Sequence, residues 1–162
     1  MKKKSLLPWT LLIALLLALD QGTKYFFTAN RADFQEREII PGFFYLTYLE
    51  NRGAAFSMLQ NFRWGFVVIT SIALVIMIRF FLIHQGRVAR LSLSFLIAGA
   101  AGNLVDRIWQ GFVVDFLHFY PFGFNFPVFN VADICVNVGA ALLAIWLLFL
   151  YQEPGVPDEK QE

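Results

Sequence analysis

The stretch GNLVDRIWQGFVVDFLHFYPFGFNFPVFNVAD, Gly102 to Asp133, decides how this chain is read. It begins inside one apolar segment and ends inside the next. It carries the acids Asp106, Asp115 and Asp133, with an amide or a guanidinium close in sequence to two of them. Acids in segments at lipid depth are costly and mark function by default.

Outward from this stretch the chain is strongly apolar, 58% hydrophobic and 15% charged over 162 residues. Soluble domains average roughly half apolar and a quarter charged. The excess comes in blocks, which predicts an all-α membrane protein with spans over about 6–27, 64–83, 91–108 and 131–151. Each block is long enough to cross a bilayer, given roughly 20 apolar residues per helix. Residues 1–151 read as a single membrane-embedded domain, and 152–162 as a disordered cytoplasmic tail with Pro154, Pro157 and several acids. The first block follows Lys2, Lys3 and Lys4. No small-x-small cleavage site follows it, and Asp20 and Lys24 come next, so it reads as an uncleaved helix with Pro8 in its first turn. The net charge of +1 and the lack of a basic patch give no sign of nucleic acid. The single cysteine, Cys135, excludes an internal disulfide and reads as a packing residue.

Residues 28–63 are mixed in character. Pro41-Gly42 is a turn signal, Gly53 near Asn51 a second one, and Phe43 to Leu49 is β-prone. A small sheet at the membrane interface is expected there. The segment 109–130 is aromatic and turn-rich, with Pro121, Gly123 and Pro127. It reads as interfacial anchoring, and Phe116, Phe119, Tyr120, Phe122 and Phe124 as a lid. Small residues Ala98 to Gly102 predict close helix packing in the third span. Four spans put both termini on one side. Lys2–Lys4 and the Arg87/Arg90 loop make that side cytoplasmic, and Trp9, Trp64, Trp109 and Trp146 fall near span ends as an aromatic belt.

Spacing shows which polar residues share a face. Asp20 and Lys24 are i, i+4; Asn103, Asp106 and Arg107 are i, i+3, i+4; Asn130, Asp133 and Asn137 are i, i+3, i+7. Three helices thus offer polar stripes near one membrane surface, and facing lipid would leave them unsatisfied. Asp20–Lys24 reads equally as an ion pair tying a helix end or as part of a site. Asp106 reads as paired with Arg107, which keeps the acid ionised. Asn103 and Asn137 are candidates for interhelical glue. His118, alone without clustered Cys or Glu, does not make a metal site, and none is expected; nor is a cofactor. Asp115 and Asp133 are the acids left without an obvious neighbouring cation.

These residues fall into five motifs in order. Asp20-Gln21-Gly22-Thr23-Lys24 fits D-x-x-x-K, and Asn51-Arg52-Gly53-Ala54-Ala55-Phe56 fits N-x-G-A-A-F. Gly102-Asn103-Leu104-Val105-Asp106-Arg107 fits G-N-x-x-D-R. Val113-Val114-Asp115-Phe116 fits V-V-D-F, and Phe129-Asn130-Val131-Ala132-Asp133 fits F-N-x-A-D. The chain from Lys2 to Tyr151 resembles the bacterial lipoprotein signal peptidases, the signal peptidase II family. The resemblance implies a four-helix bundle with a small periplasmic β-cradle and a short periplasmic helix in the bacterial inner membrane. It implies an aspartic endopeptidase that cuts a diacylglyceryl-modified prolipoprotein before the lipidated cysteine, with Asp115 and Asp133 as the catalytic pair. Asp20, Lys24, Asn51, Gly53, Asn103, Asp106, Arg107, Asn130, Ala132 and Asn137 fall at positions that support the site or contact substrate. Membrane lipid and globomycin-type inhibitors are the other implied partners. A proton-coupled transporter or channel would also bury acids, but it needs a polar path across the membrane. Here the acids cluster at one side and the cytoplasmic halves of the spans are almost purely apolar.

Overall fold

The computed structural model describes residues 5–53 and 62–151. The expected tail from Gln152, the basic residues Lys2–Lys4, and Ala54, Ala55 and Phe56 lie outside the described residues. Four helices dominate: α1 (Leu7–Ala29), α2 (Arg63–Ile83), α3 (Arg87–Trp109) and α4 (Val131–Ile145), the last continued by a π-helical turn over Trp146–Leu150. With that turn included, all four are long and apolar enough to cross a membrane. The third helix begins at Arg87, four residues before the expected start at Leu91, because extended Gly86 ends the loop and Arg90 N–H already bonds Gly86 O.

The small sheet expected beside the four helices is present and makes the all-α label too narrow: it is antiparallel, of order β1 (Arg37–Ile40), β2 (Phe44–Asn51) and β3 (Val113–Phe119). The first two strands come from the segment read as a sheet. They meet at a turn in which Phe43 N–H bonds Ile40 O, with Pro41 and Gly42 at its centre. Gly42 has φ of 66°, where a side chain would be strained, so Pro-Gly suits a type II turn. The third strand comes from the segment read as anchoring loop. Its residues Val113 to Phe119 are rich in β-branched and aromatic side chains, and they pair along β2 from Asn51↔Val113 to Phe44↔Phe119.

Helix α3 is central and packs against each of the other three. Its residues allow this: Ala89, Ser92, Ser94, Ala98, Gly99 and Gly102 are buried. A Cβ at Gly99 would overlap the Ala132 carbonyl, so α3 and α4 approach to backbone distance, and one at Gly102 would overlap the Asp20 carboxylate, which α1 places against α3. Large apolar side chains of α1, α2 and α4 point outward, as a lipid-facing surface requires. The end of the bundle away from the sheet is less apolar inside than expected, since Arg90, Ser92 and Ser94 are buried there. The serine hydroxyls bond carbonyls one turn back in their own helix, and Arg90 donates to His84 O. Trp64 and Trp109 are exposed at span ends, whereas Trp9 packs onto the Phe81, Leu93 and Ile97 cluster.

Under the sheet lies a second cluster of Phe27, Phe34 and Phe116, with Phe27 and Phe116 stacked at 4.3 Å. Two members of the expected lid are therefore structural. Phe116 is core, and Phe119 stacks on Phe44 and Phe129.

Candidate active site

Each carboxylate of the site is placed by its own local structure. Asp115 stands on β3 opposite Leu49, so its side chain shares a face with Asn51, its diagonal neighbour on β2. Phe116 then faces the other way, into the core below. After the loop 120–128 the chain returns along β3, where Leu117 and Phe129 exchange N–H···O bonds of 2.9 and 3.0 Å. That bridge sets Asn130 beside Asp115.

Asn130 is the N-cap of α4. Its carbonyl oxygen Oδ1 accepts the Asp133 N–H at 2.9 Å, and Asp133 Oδ2 accepts the Asn130 N–H at 3.1 Å. This is a capping box, which satisfies two orphan donors of the first turn. It also fixes the Asp133 carboxylate at a helix N-terminus, where the dipole favours negative charge.

All four carboxylate oxygens receive an N–H donor. Asp115 Oδ1 accepts from Asn130 Nδ2 at 2.6 Å and Oδ2 from Asn51 Nδ2 at 2.8 Å. Asp133 Oδ1 accepts from Asn103 Nδ2 at 2.8 Å, and Oδ2 is held by the cap. Both acids line one cavity of about 540 Å³ with Asn51, Asn103, Arg107 and Asn137. Its remaining wall is apolar, from Phe126 to Phe129 and from Ile134, Val136 and Val138. Burial first, and the Asp133 carboxylate second, push Asp115 up to about 7; the Asn51 and Asn130 bonds and Lys24 pull the other way.

Behind the cavity is a buried ionic cluster. Lys24 Nζ lies 2.9 Å from Asp20, 3.0 Å from Asp106 and 2.9 Å from Asn103 Oδ1. The Asp20–Lys24 ion pair therefore exists within α1, and Lys24 extends it to Asp106 and Asn103 of α3. The expected pairing of Asp106 with Arg107 is corrected: the cation of Asp106 is Lys24. Neighbours on a helix point about 100° apart, so Arg107 faces elsewhere. It donates to Gly53 O at 3.3 Å and to Asn103 O at 3.4 Å, and lies over the Phe66 ring. Gly53 N–H in turn bonds Asn51 Oδ1 at 3.0 Å. Ala132 is fully buried where α3 and α4 touch, and Asn137 donates to Asp133 O at 2.9 Å.

Sequence reasoning missed Gln21. Its Nε2 reaches Asp20, Asp106 and Gly102 O, at 3.1, 3.1 and 3.2 Å. A polar residue at i+1 does not share the face of Asp20, so face-counting discards it; only the absence of water at that depth signals that it needs partners. Arg63, at the end of the mixed segment 28–63, caps the C-terminus of α3 through Arg107 O and Ile108 O. His118 pairs with Asn125 at 2.8 Å.

One buried and one half-buried carboxylate border a single cavity beside four helices long and apolar enough to cross a membrane, an arrangement that suits a membrane peptidase of the aspartic type. A family model described as signal peptidase (SPase) II matches residues 12–149, and the chain belongs to that family. The lipoprotein signal peptidase of Symbiobacterium thermophilum is 45% identical over 136 residues, 83% of this chain and 90% of that one. That of Pasteurella multocida is 36% identical over 167 residues, 99% of each chain. A solved structure of a bacterial membrane enzyme at 2.3 Å is similar at a TM-score of 0.85 and 34% identity, over 96% of this chain and 98% of that one.

Proposed function

We propose that this protein removes the signal peptide from diacylglyceryl-modified prolipoproteins, cutting before the lipidated cysteine, with Asp115 and Asp133 as its catalytic residues. The observation that carries this reading is that both carboxylates border one cavity, each with both oxygens already held. Their positions are set before substrate arrives, so little reorganisation is left for the reaction.

The mechanism follows from two acids that cannot both ionise easily in a buried site and so share one proton. The ionised member takes a proton from water, and that water attacks the scissile carbonyl. The protonated member donates a hydrogen bond to the carbonyl oxygen and later passes its proton to the leaving amine. The titration belongs to the pair, so neither acid is assigned as the base. Asn51, Asn103 and Asn130 hold the carboxylates. Arg107, through Gly53, holds Asn51 over Asp115. Asn137 lies on the cavity wall beyond Asp133.

The bilayer accounts for the placement. A diacylglyceryl cysteine keeps its chains in lipid, so the bond to be cut lies near the interface. A cavity at the sheet end of α3 and α4, walled by Phe126, Val128 and Ile134, meets it there. Residues 1–151 act as one domain in the bacterial inner membrane. The basic Arg87–Arg90 end and both termini face the cytoplasm and the sheet faces the periplasm. A globomycin-type inhibitor occupies the same cavity.

The test uses purified protein with a lipidated prolipoprotein in detergent or liposomes. Asp115→Asn and Asp133→Asn, separately, should abolish cleavage while the melting transition persists. Cleavage by either variant at a rate near that of the parent protein would remove the dyad.

A further inference from the structure

The cluster behind the cavity is connected to the backbone in a regular way. Lys24 is 2% exposed and Asp20 and Asp106 each 1%. An ammonium has three donors, and here each has an acceptor: Asp20 Oδ2, Asp106 Oδ2 and Asn103 Oδ1. Each of these three residues then bonds one of the paired acids or the residue just before it. Asp20 Oδ1 accepts the N–H of Ala132, the residue before Asp133, at 2.8 Å. Asp106 Oδ2 accepts the N–H of Val114, the residue before Asp115, at 3.3 Å. Asn103, its carbonyl turned to Lys24, can present only its amide N–H to Asp133, and does so at 2.8 Å.

We propose that Lys24, with Asp20 and Asp106, is a clamp that sets the spacing of the two carboxylates by gripping the chain immediately before each of them. The inference rests on the dyad reading above and adds positioning residues to it. One buried charge thus registers β3 against the N-terminus of α4, beside the Leu117–Phe129 bridge and the bonds from Asn130 to Asp115 and Val114 O. A chemically cheaper way to bury this region exists, since apolar side chains often replace buried ion pairs without loss of stability. A group kept for stability alone would not need its three donors aimed at three routes to the site.

The two acids make different demands, and this gives the test. Asp106 uses the same oxygen for Lys24 and for Val114 N–H. An amide oxygen can replace it and keep both of these bonds, at the loss of the one that Gln21 Nε2 makes to the other Asp106 oxygen. Asp20 uses one oxygen for Lys24 and Gln21 and the other for Ala132 N–H. An amide must give up one of them. Asp106→Asn should therefore keep kcat within about tenfold of the parent protein, while Asp20→Asn and Lys24→Met lose about 100-fold, the scale of an ångström of misplacement. KM for the lipidated prolipoprotein should stay within about threefold in all of them, because no clamp atom lines the cavity. Rates are taken per folded molecule, from the amplitude of the melting transition. A purely structural cluster would lower the melting temperature and leave kcat per folded molecule unchanged, and that result overturns the clamp. So does a kcat for Asp106→Asn as low as that of Asp115→Asn, which decides the matter even where Lys24→Met does not fold. If the dyad variants themselves cleave, the dyad reading falls first; if they are inactive while Asp20→Asn turns over like the parent, only the clamp falls.

Discussion

Asn130 and Asp133 bond each other reciprocally, side chain to backbone in both directions, at 2.9 and 3.1 Å. Helix initiation and active-site geometry are therefore one arrangement. Asn130 also donates to Asp115 at 2.6 Å, so it has a structural and a site-directed role that different substitutions separate. Serine at an N-cap accepts the same N–H but has no amide to offer. Asn130→Ser should melt within a few degrees of the parent protein yet lose about 100-fold or more in kcat. Asn130→Ala should lose activity equally and a further ~1 kcal/mol of stability. Melting curves and single-turnover rates on the same samples separate the effects; equal melting of the two variants would remove the cap from the account.

The raised value of Asp115, about 7 against an ordinary 3.8, makes a prediction about pH. The folded protein holds this proton more tightly than the unfolded chain. Stability from the protonated acid is fully present below pH 3.8 and is lost as pH rises to about 7. Asp115→Asn cannot ionise, so its melting temperature should exceed the parent's above pH 7 and converge with it below pH 4. Activity that needs one shared proton should fall on the alkaline side with a midpoint near 7. Asn51 stabilises the charged form, so Asn51→Leu should move that limb to higher pH. A limb that stays fixed, or moves down, would show that Asp115 does not set it.

Close helix approach predicts a contrast among glycines. A methyl at Gly102 would meet the Asp20 carboxylate and one at Gly99 the Ala132 carbonyl, but one at Gly22 meets nothing. Gly102→Ala and Gly99→Ala should each lose about 1–3 kcal/mol from overpacking. Gly22→Ala, in the middle of α1, should be neutral or gain about 0.5–1 kcal/mol from lower backbone entropy. Thermal unfolding in one detergent compares the three; a neutral Gly102→Ala would mean that α1 and α3 can separate at no cost.

Much of this was legible without coordinates, where local periodicity carries the information. The spans follow from block hydropathy. Asp20 with Lys24, and Asn130 with Asp133, follow from helical spacing. Long-range partners did not follow. Asp106 stands beside Arg107 in sequence but points to Lys24, 82 positions away by number, because side-chain direction on a helix outranks adjacency. The strand Val113–Phe119 was hidden because it is buried on both faces, so it lacks polar alternation and looks like its aromatic flanks. Gln21 was hidden because its need for partners comes from burial depth, which spacing does not report.

The aromatic segment after β3 gives the last prediction, because its rings look alike in sequence and differ in the structure. Phe116 is 3% exposed and stacked on Phe27, while Phe122 is fully exposed with φ of 54°. Phe116→Ala opens a cavity beneath the sheet and should cost about 3–5 kcal/mol. Phe122→Ala removes no protein contact of that kind, and Phe122→Gly should relieve the left-handed backbone and gain a few tenths to ~1 kcal/mol. If the ring of Phe122 instead covers the cavity over bound substrate, its removal should raise KM for the lipidated prolipoprotein with melting unchanged. Equal KM for Phe122→Ala and the parent protein would leave Phe122 no part in holding substrate, and the loop would act through the Leu117–Phe129 bridge that sets Asn130 in place.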